Sequence, residues 1–340
     1  MFIPKYTLTP TILANISNAE RFYGNLESLH VPKKFELNLE RDHLIKSAYI
    51  SNSMEGNPLS LPEVTNLLLG DRVPVNREEK EIRNYFEILK SLEKARNSSF
   101  DLETIYSIHK ELMRGVNDKI AGKIRNTPVI VGQKEVVNGV EKIKIKHKPP
   151  YYKAKDIKTH LSELINWIAK NDNFPAILKA GIFHHQFVFL HPFVDGNGRT
   201  CRLLTALVFL KSNFNINKYF ILDDYYDIDR FLYSDKLHTA DSGNKTEWLE
   251  YFSTGVKYSL QSALSRLESQ VYLLPAAERL SAKEKEVLKL LQERKEITSN
   301  TLSEIKNVSR QQAQNLLASL VEKGFARKEG TTKGSFYILK

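Results

Sequence analysis

The residues best equipped for chemistry in this 340-residue chain form one short run, His191-Pro-Phe-Val-Asp-Gly-Asn-Gly-Arg-Thr-Cys-Arg202. A neutral imidazole is a competent base near pH 7, so His191 can take the proton of an incoming hydroxyl. Asp195 offers the single carboxylate that, with waters, suffices for Mg2+, although an aspartate opening a turn has the same residue type. Gly196 and Gly198 free the backbone to turn its N–H groups toward one point, and Arg199 and Arg202 add cations suited to phosphate oxygens. The set reads as a polyphosphate site whose reaction is attack on a nucleotide phosphate. Taken alone, Gly196-Asn-Gly198 is weak evidence, because a dinucleotide fingerprint wants Gly or Ala where Cys201 stands, and no Gly-Lys-Ser/Thr loop occurs.

The elements around this run must hold it. Pro192 disfavours helix at His191, so the apolar segment 176–190 is expected as a helix that ends by delivering the histidine. Residues 199–210 read as a second apolar helix whose positive N-terminal end faces the anion. Upstream, residues 1–30 lack a sharp period and are expected as a peripheral arm or short helices. Apolar residues then recur at helical spacing over 39–54, and the helix should end near Glu55-Gly56-Asn57-Pro58. Ser51 and Glu55 fall one turn apart at that end. A carboxylate opposes the helix dipole there, so Glu55 needs a cation from elsewhere in the chain.

Further helices are expected from Ser60 to Leu69, with Ser60 and Glu63 at capping-box spacing, and over 78–96, 102–113, 156–170, 228–238 and 247–271. His109 reads as a core or helix-surface histidine. Pro128-Val-Ile-Val-Gly132 and Ile143-Lys-Ile-Lys146 around Asn138-Gly139 predict a hairpin, and 211–226 reads as a connector. After a hinge at 273–280, three short helices and two strands around a basic Gly/Thr turn suggest a winged helix-turn-helix. Residues 281–340 hold 12 Lys/Arg against 7 Asp/Glu, which supports nucleic-acid contact only modestly.

A net charge of +10 suits an acidic partner without choosing among ATP, nucleic acid and an anionic protein surface. No apolar run is long enough to span a membrane and the N-terminus lacks a signal-peptide pattern, so the expected location is cytoplasmic, with no membrane partner. The single cysteine, Cys201, excludes an intrachain disulfide and reads by type as a small core residue.

The run 191–202 matches, at every defined position, His-Pro-Phe-x-Asp/Glu-Gly-Asn-Gly-Arg-x-x-Arg, and thereby resembles the Fic-domain signature. Gly122-Lys-Ile-Arg125 is similar to the segment entering that family's hairpin flap, and His184 lies seven residues before His191 as in many members. The resemblance implies a mainly α fold: a Fic-type helical body with a β-hairpin flap, plus the C-terminal winged helix-turn-helix. It divides the chain into an N-terminal helical region at 1–98, a Fic core with flanking helices at 99–272, and the hinge and winged helix at 273–340.

It also implies a protein adenylyltransferase that moves AMP from ATP to a Ser, Thr or Tyr hydroxyl of a protein, itself included. His191 would be the base and Asp195 the Mg2+ ligand. ATP would lie on Gly196, Asn197, Gly198, Arg199, Thr200, Cys201 and Arg202, with Tyr233 near the adenine. Related sequences carry a Tyr pair there, and here Ser234 follows Tyr233. The target protein would dock on the flap at 129–145 by strand addition. Ser51-Asn-Ser-Met-Glu55-Gly56 fits the family's inhibitory motif, which implies that Glu55 pairs with Arg202, restrains the enzyme, and in some relatives serves AMP removal. Two alternatives stay open: transfer of another nucleotide or phosphate group, and a nucleotide-responsive DNA-binding regulator that reads through the segment starting at Ser309. A homo-oligomer is compatible with either.

Overall fold

A computed structural model gives the fold and describes residues 1–29, 33–70, 72–137, 140–171, 173–273, 280–330 and 335–340. They form two compact units, one of Met1–Glu27 with Glu36–Ser265 and one of Ser28–Phe35 with Arg266–Lys340. Apart from Ser28–Phe35, the regions 1–98 and 99–272 share the first unit as far as Ser265. Among the described residues, no helix is long and apolar enough to cross a membrane.

The first unit is almost entirely helical. Its elements run α1 (Pro10–Ser28), α2 (Lys33–Ser53), α3 (Leu61–Leu69), α4 (Arg77–Ser91, continued by a 3-10 turn at Leu92–Ala95) and α5 (Leu102–Met113). The hairpin β1 (Val131–Val137) and β2 (Val140–His147) follows, then α6 (Ala154–Lys170), α7 (Ala176–Leu190) and α8 (Asn197–Lys211). The unit continues through α9 (Ile216–Tyr219), α10 (Asp223–Ile228), α11 (Arg230–Thr239), a 3-10 turn at Ala240–Ser242, and α12 (Thr246–Leu273), which leaves it at Ser265. In α7 and α8 alike, thirteen of fifteen residues are buried, so both are core helices packed on all sides rather than amphipathic ones. Trp248 anchors α12 on this pair by donating from Nε1 to the Gly181 carbonyl at 2.8 Å.

Two sequence expectations need correction. Residues 10–28 are one continuous helix, not an arm or short pieces, and it buries Ile12, Asn15, Ala19, Tyr23 and Leu26. A polar residue interrupts that stripe, which blurs the period. Asn15 is buried because its Nδ2 donates to Ser253 Oγ at 3.1 Å and Thr254 Oγ1 at 2.8 Å. The connector 211–226 contains α9 and the start of α10, which are too short for a helical period to register.

Strands β1 and β2 pair antiparallel from Val137 with Val140 to Val131 with His147, and a bulge falls between Val131 and Gly132. The expected turn at Asn138-Gly139 lies outside the described residues. In the second unit, α13 (Ala282–Arg294), β3 (Glu296–Ile297), α14 (Ser299–Lys306), α15 (Arg310–Glu322), β4 (Ala326–Glu329) and β5 (Phe336–Leu339) surround a core that includes Val287, Leu291, Leu302, Leu317 and Tyr337. The strand order is β3-β5-β4, so a two-residue strand joins the two expected ones. Ser281 and Ser309 cap α13 and α15 with reciprocal boxes. Burial opposes the charge of Glu284, but bonds from Lys323, Ser319 and Ser281 hold its carboxyl down at about 2. The hinge residues 274–279 and the turn residues 331–334 lie outside the described residues.

Candidate active site

The loop between α7 and α8 is fixed largely by its own residues. Helix α7 ends when His191 takes a left-handed conformation, φ 47° and ψ 63°, with its N–H still bonded to the Phe187 carbonyl at 3.0 Å. A histidine tolerates this region better than most side chains, and the turn swings it off the helix. Two residues on, Phe193 is clasped by Asn197, whose Oδ1 accepts from the Phe193 N–H at 2.9 Å while its Nδ2 donates to the Phe193 carbonyl at 2.9 Å. Gly196 has φ 73°, and a Cβ there would press on Met113 Sδ at 3.2 Å. The first helical bond of α8 runs from Thr200 N to Gly196 O at 2.9 Å, so the amides of 197–199 precede it at the helix's positive end.

Two residues that the sequence left without a role position this loop. Arg125, buried, donates from Nε to the His191 carbonyl at 2.6 Å and from Nη2 to the Leu190 carbonyl at 3.2 Å, satisfying carbonyls at the end of α7. Its backbone N–H also bonds Pro192 O at 3.0 Å. His109 lies stacked on Phe193, ring centroids 3.6 Å apart and nearly parallel. Its Nδ1 accepts from the Gly122 N–H at 3.0 Å, which leaves the proton on Nε2 to donate to the Asp195 carbonyl at 3.0 Å. Burial pushes the His109 pKa down to about 4, so the ring keeps this one tautomer at neutral pH.

A cleft of about 430 Å³ opens above the loop, and Glu55, His191, Gly198, Arg202 and Tyr233 line it together with Lys146, Arg230 and Ser234. Burial, aided by the neighbouring His147 and the Arg125 guanidinium, pushes the His191 pKa down to about 4, leaving a neutral imidazole. Tyr233 presents its ring, while its hydroxyl is tied to His184 Nε2 at 2.8 Å. A second tyrosine ring, from Tyr226 on α10, lies 4.2 Å away, centroid to centroid.

The end of α2 closes one side of the cleft. Arg202 donates from Nε to Ser51 Oγ at 2.6 Å, and from Nη2 to Ser51 O and Glu55 Oε1, both at 2.8 Å. Burial opposes the charge on Arg202, but the facing Glu55 carboxylate holds its pKa above the ordinary arginine range. Glu55 Oε1 also occupies space over the start of α8, only 2.1 Å from where a Cβ of Gly198 would stand. A carboxylate thus sits where the helix end attracts anions. Gly56, at φ 89°, turns the chain out of α2. Arg230, unremarked in the sequence, bonds the Ser53 carbonyl at 3.1 Å and Ser53 Oγ at 3.0 Å.

Several of the expected nucleotide-binding side chains point elsewhere. Arg199 is buried against Glu81 Oε1 and Asn52 Oδ1, each at 3.4 Å, away from the cleft. Thr200 and Cys201 face the core, and Cys201 Sγ contacts the His184 carbonyl at 3.3 Å. Burial pushes the Cys201 thiol up to about 12. The Asn197 side chain is spent on Phe193, which leaves its backbone N–H. Asp195 is 45% exposed, and its Oδ2 has Arg77 Nη2 3.5 Å away. That oxygen keeps free lone pairs at the loop's edge, a fit for a hard cation.

Residues 99–209 match the family model described as Fic/DOC family. Among curated relatives, "Protein adenylyltransferase fic-1" of Caenorhabditis elegans is 26% identical over 232 residues, covering 65% of this chain and 41% of its own. "Protein adenylyltransferase Fic" of Nematostella vectensis is 28% identical over 186 residues, covering 50% and 39%. The chain therefore spans about two fifths of the length of these relatives. A Fic family protein from Desulfovibrio desulfuricans G20 shares the fold, with a TM-score of 0.65 at 24% identity over 100% of this chain and 98% of that one. Fic-1 (residues 134–508) of C. elegans shares it with a TM-score of 0.59 at 22% identity, over 76% and 72%. The signature loop lies within residues 99–209, the stretch that matches the Fic/DOC family model, and this mainly helical chain has a fold similar to that of solved Fic proteins.

Proposed function

We propose that the chain is a protein adenylyltransferase that transfers AMP from ATP to a Ser, Thr or Tyr hydroxyl, and that the end of α2 restrains it. The names of the curated relatives support the reaction class. The observation that carries the restraint is Glu55, bonded to Arg202 at 2.8 Å and seated over Gly198. In this reading the hydroxyl oxygen attacks the α-phosphorus, its proton passes to the neutral His191 ring, and the bond to the β-phosphate breaks to release pyrophosphate. The amides at the start of α8 and Arg202 stabilise the developing charge. Asp195 is the residue that would hold Mg2+, which supplies neutralisation of phosphate charge when bound. With Glu55 in place, Arg202 is engaged and the space above Gly198 is filled, so ATP cannot align its phosphates for attack.

Hairpin β1–β2 serves in this reading as the docking edge for the target's backbone. The C-terminal unit is read as a winged helix, with Arg310, Gln311, Gln312 and Gln314 exposed at the start of α15. A partner protein is its preferred ligand over duplex DNA, and a steep salt dependence of duplex binding that disappears without residues 281–340 would reverse that preference. A cytoplasmic location belongs to the same proposal.

The test is labelling with ATP carrying isotope on the α-phosphate. Glu55→Gly should raise incorporation into the protein itself and into added lysate proteins, and Glu55→Gly/His191→Ala should remove it. Incorporation that persists without His191, or label arriving from the γ-phosphate instead, would overturn the assignment.

A further inference from the structure

A second cluster lies at the corner of the cleft, built by residues that the transfer reaction does not use. His147 ends β2, His238 lies in the last turn of α11, and Asp241 sits in the 3-10 turn that follows. One donor atom from each falls within 4.8 Å of the others. His147 Nδ1 is 2.7 Å and His238 Nδ1 3.0 Å from the same oxygen, Asp241 Oδ2.

The protons show what this arrangement lacks. His147 Nε2 faces the Phe189 carbonyl at 2.9 Å, an acceptor only, so that nitrogen carries the ring proton. In the neutral ring, Nδ1 then aims a lone pair at a carboxylate oxygen. Two acceptors at 2.7 Å need a positive centre between or beside them: a second proton or a metal ion. The surroundings suit the ion. A metal-bound histidine usually donates its other N–H to a carbonyl, as His147 does to Phe189. The second carboxylate oxygen is held separately: Asp241 Oδ1 accepts from His185 Nε2 at 3.0 Å, and His185 Nδ1 accepts from Lys245 Nζ at 2.6 Å. That chain fixes the His185 tautomer and leaves Oδ2 for the other two histidines.

We propose that His147, His238 and Asp241 bind a divalent transition-metal ion of the zinc class. Two imidazoles and one carboxylate suit Zn2+ chemically, and His238 lines the cleft, so solvent can supply a fourth ligand. Tetrahedral zinc with bonds of about 2.0–2.1 Å sets its ligand atoms about 3.3 Å apart, so each His–Asp241 spacing need open by only about half an ångström to admit the ion. The ion would clamp the foot of β2 to the end of α11. This site shares no ligand with Asp195.

Zn2+ titration of the chelator-treated full chain, followed by calorimetry and metal analysis, tests the proposal. One equivalent should bind, and Co2+ in its place should give the visible d–d band of a tetrahedral site. His238→Gln should lose affinity tenfold or more, Asp241→Asn should behave alike, and Asp195→Ala should retain the equivalent. As His238 is partly exposed, His238→Gln should fold, and Zn2+ should raise the Tm of the parent but not of this variant. Failure to bind an equivalent, binding unchanged by His238→Gln, or a metal-free His147 ring that stays doubly protonated by NMR after Zn2+ addition would each overturn it.

Discussion

The loop at His191–Arg202 and the end of α2 at Ser51–Gly56 meet at one guanidinium, yet they are held in opposite ways. Within the loop, polar groups are spent on buried partners: Asn197 on both backbone groups of Phe193, His109 between Gly122 and Asp195, Arg125 on the carbonyls of 190 and 191. The α2 end is gripped by three arginines from other helices, Arg199 on Asn52, Arg202 on Ser51 and Glu55, and Arg230 on Ser53, and its carboxylate Glu55 is 36% exposed. On the proposed reading, the part that places the base is fixed through backbone groups of its own loop, whereas the part that must let go is held by side chains from other helices, with its carboxylate at the solvent edge.

Breaking the loop side should therefore cost most. In the Glu55→Gly background, Asn197→Ala removes both bonds to Phe193 and should cut labelling about a hundredfold, the scale of a misplacement near 1 Å. Single-turnover rates would show it. His109→Ala strips the Asp195 carbonyl and the Gly122 N–H of a partner and opens a cavity beside Phe193. It should lower stability by about 3 kcal/mol in denaturant melts, with a smaller loss of labelling.

Acid should discriminate next. His109, His185 and His191 all have folded pKa values near 4, below the unfolded value near 6.5. The unfolded chain therefore binds these protons first. Their contribution is complete above pH 6.5 and is lost as pH falls toward 4, at up to about 1.4 kcal/mol per pH unit for each ring. Melts at pH 7 and pH 5 would measure it, and stability that stays flat across that interval would remove the neutral-histidine account. The smallest effect is expected on the α2 side. Arg230→Ala frees Ser53 and should raise self-labelling about fivefold while changing stability by about 1 kcal/mol or less, which would separate loosening the restraint from unfolding it.

Sequence reading reached the loop because its functional groups are contiguous, and it located α5 and α7 because their apolar runs are bounded by caps or proline. It missed what depends on distant partners. Arg199 and Arg202 are alike as residue types three positions apart, but one faces Glu81 and Asn52 while the other faces Ser51 and Glu55. No local pattern separates them. Arg125 reaches the Leu190 carbonyl 65 positions away and Arg230 the Ser53 carbonyl 177 positions away, and His109 needed Gly122 and Asp195 on either side to reveal its tautomer. Helix α1 escaped because a buried asparagine sits in its apolar stripe, and β3 because two residues carry no alternation.

The missing side chain of Gly198 has one further consequence. On the proposed reading, Glu55 and a nucleotide phosphate seek the same guanidinium and the same space above that glycine, so Glu55 behaves as a competing ligand that cannot diffuse away. If α2 were closed in about 99 of 100 molecules, the apparent affinity for a productively bound nucleotide would fall about a hundredfold. Linkage is reciprocal, so whatever engages Arg202 must loosen α2 by the same factor. On that reading the nucleotide supply would act on the position of a helix as well as on the occupancy of a pocket.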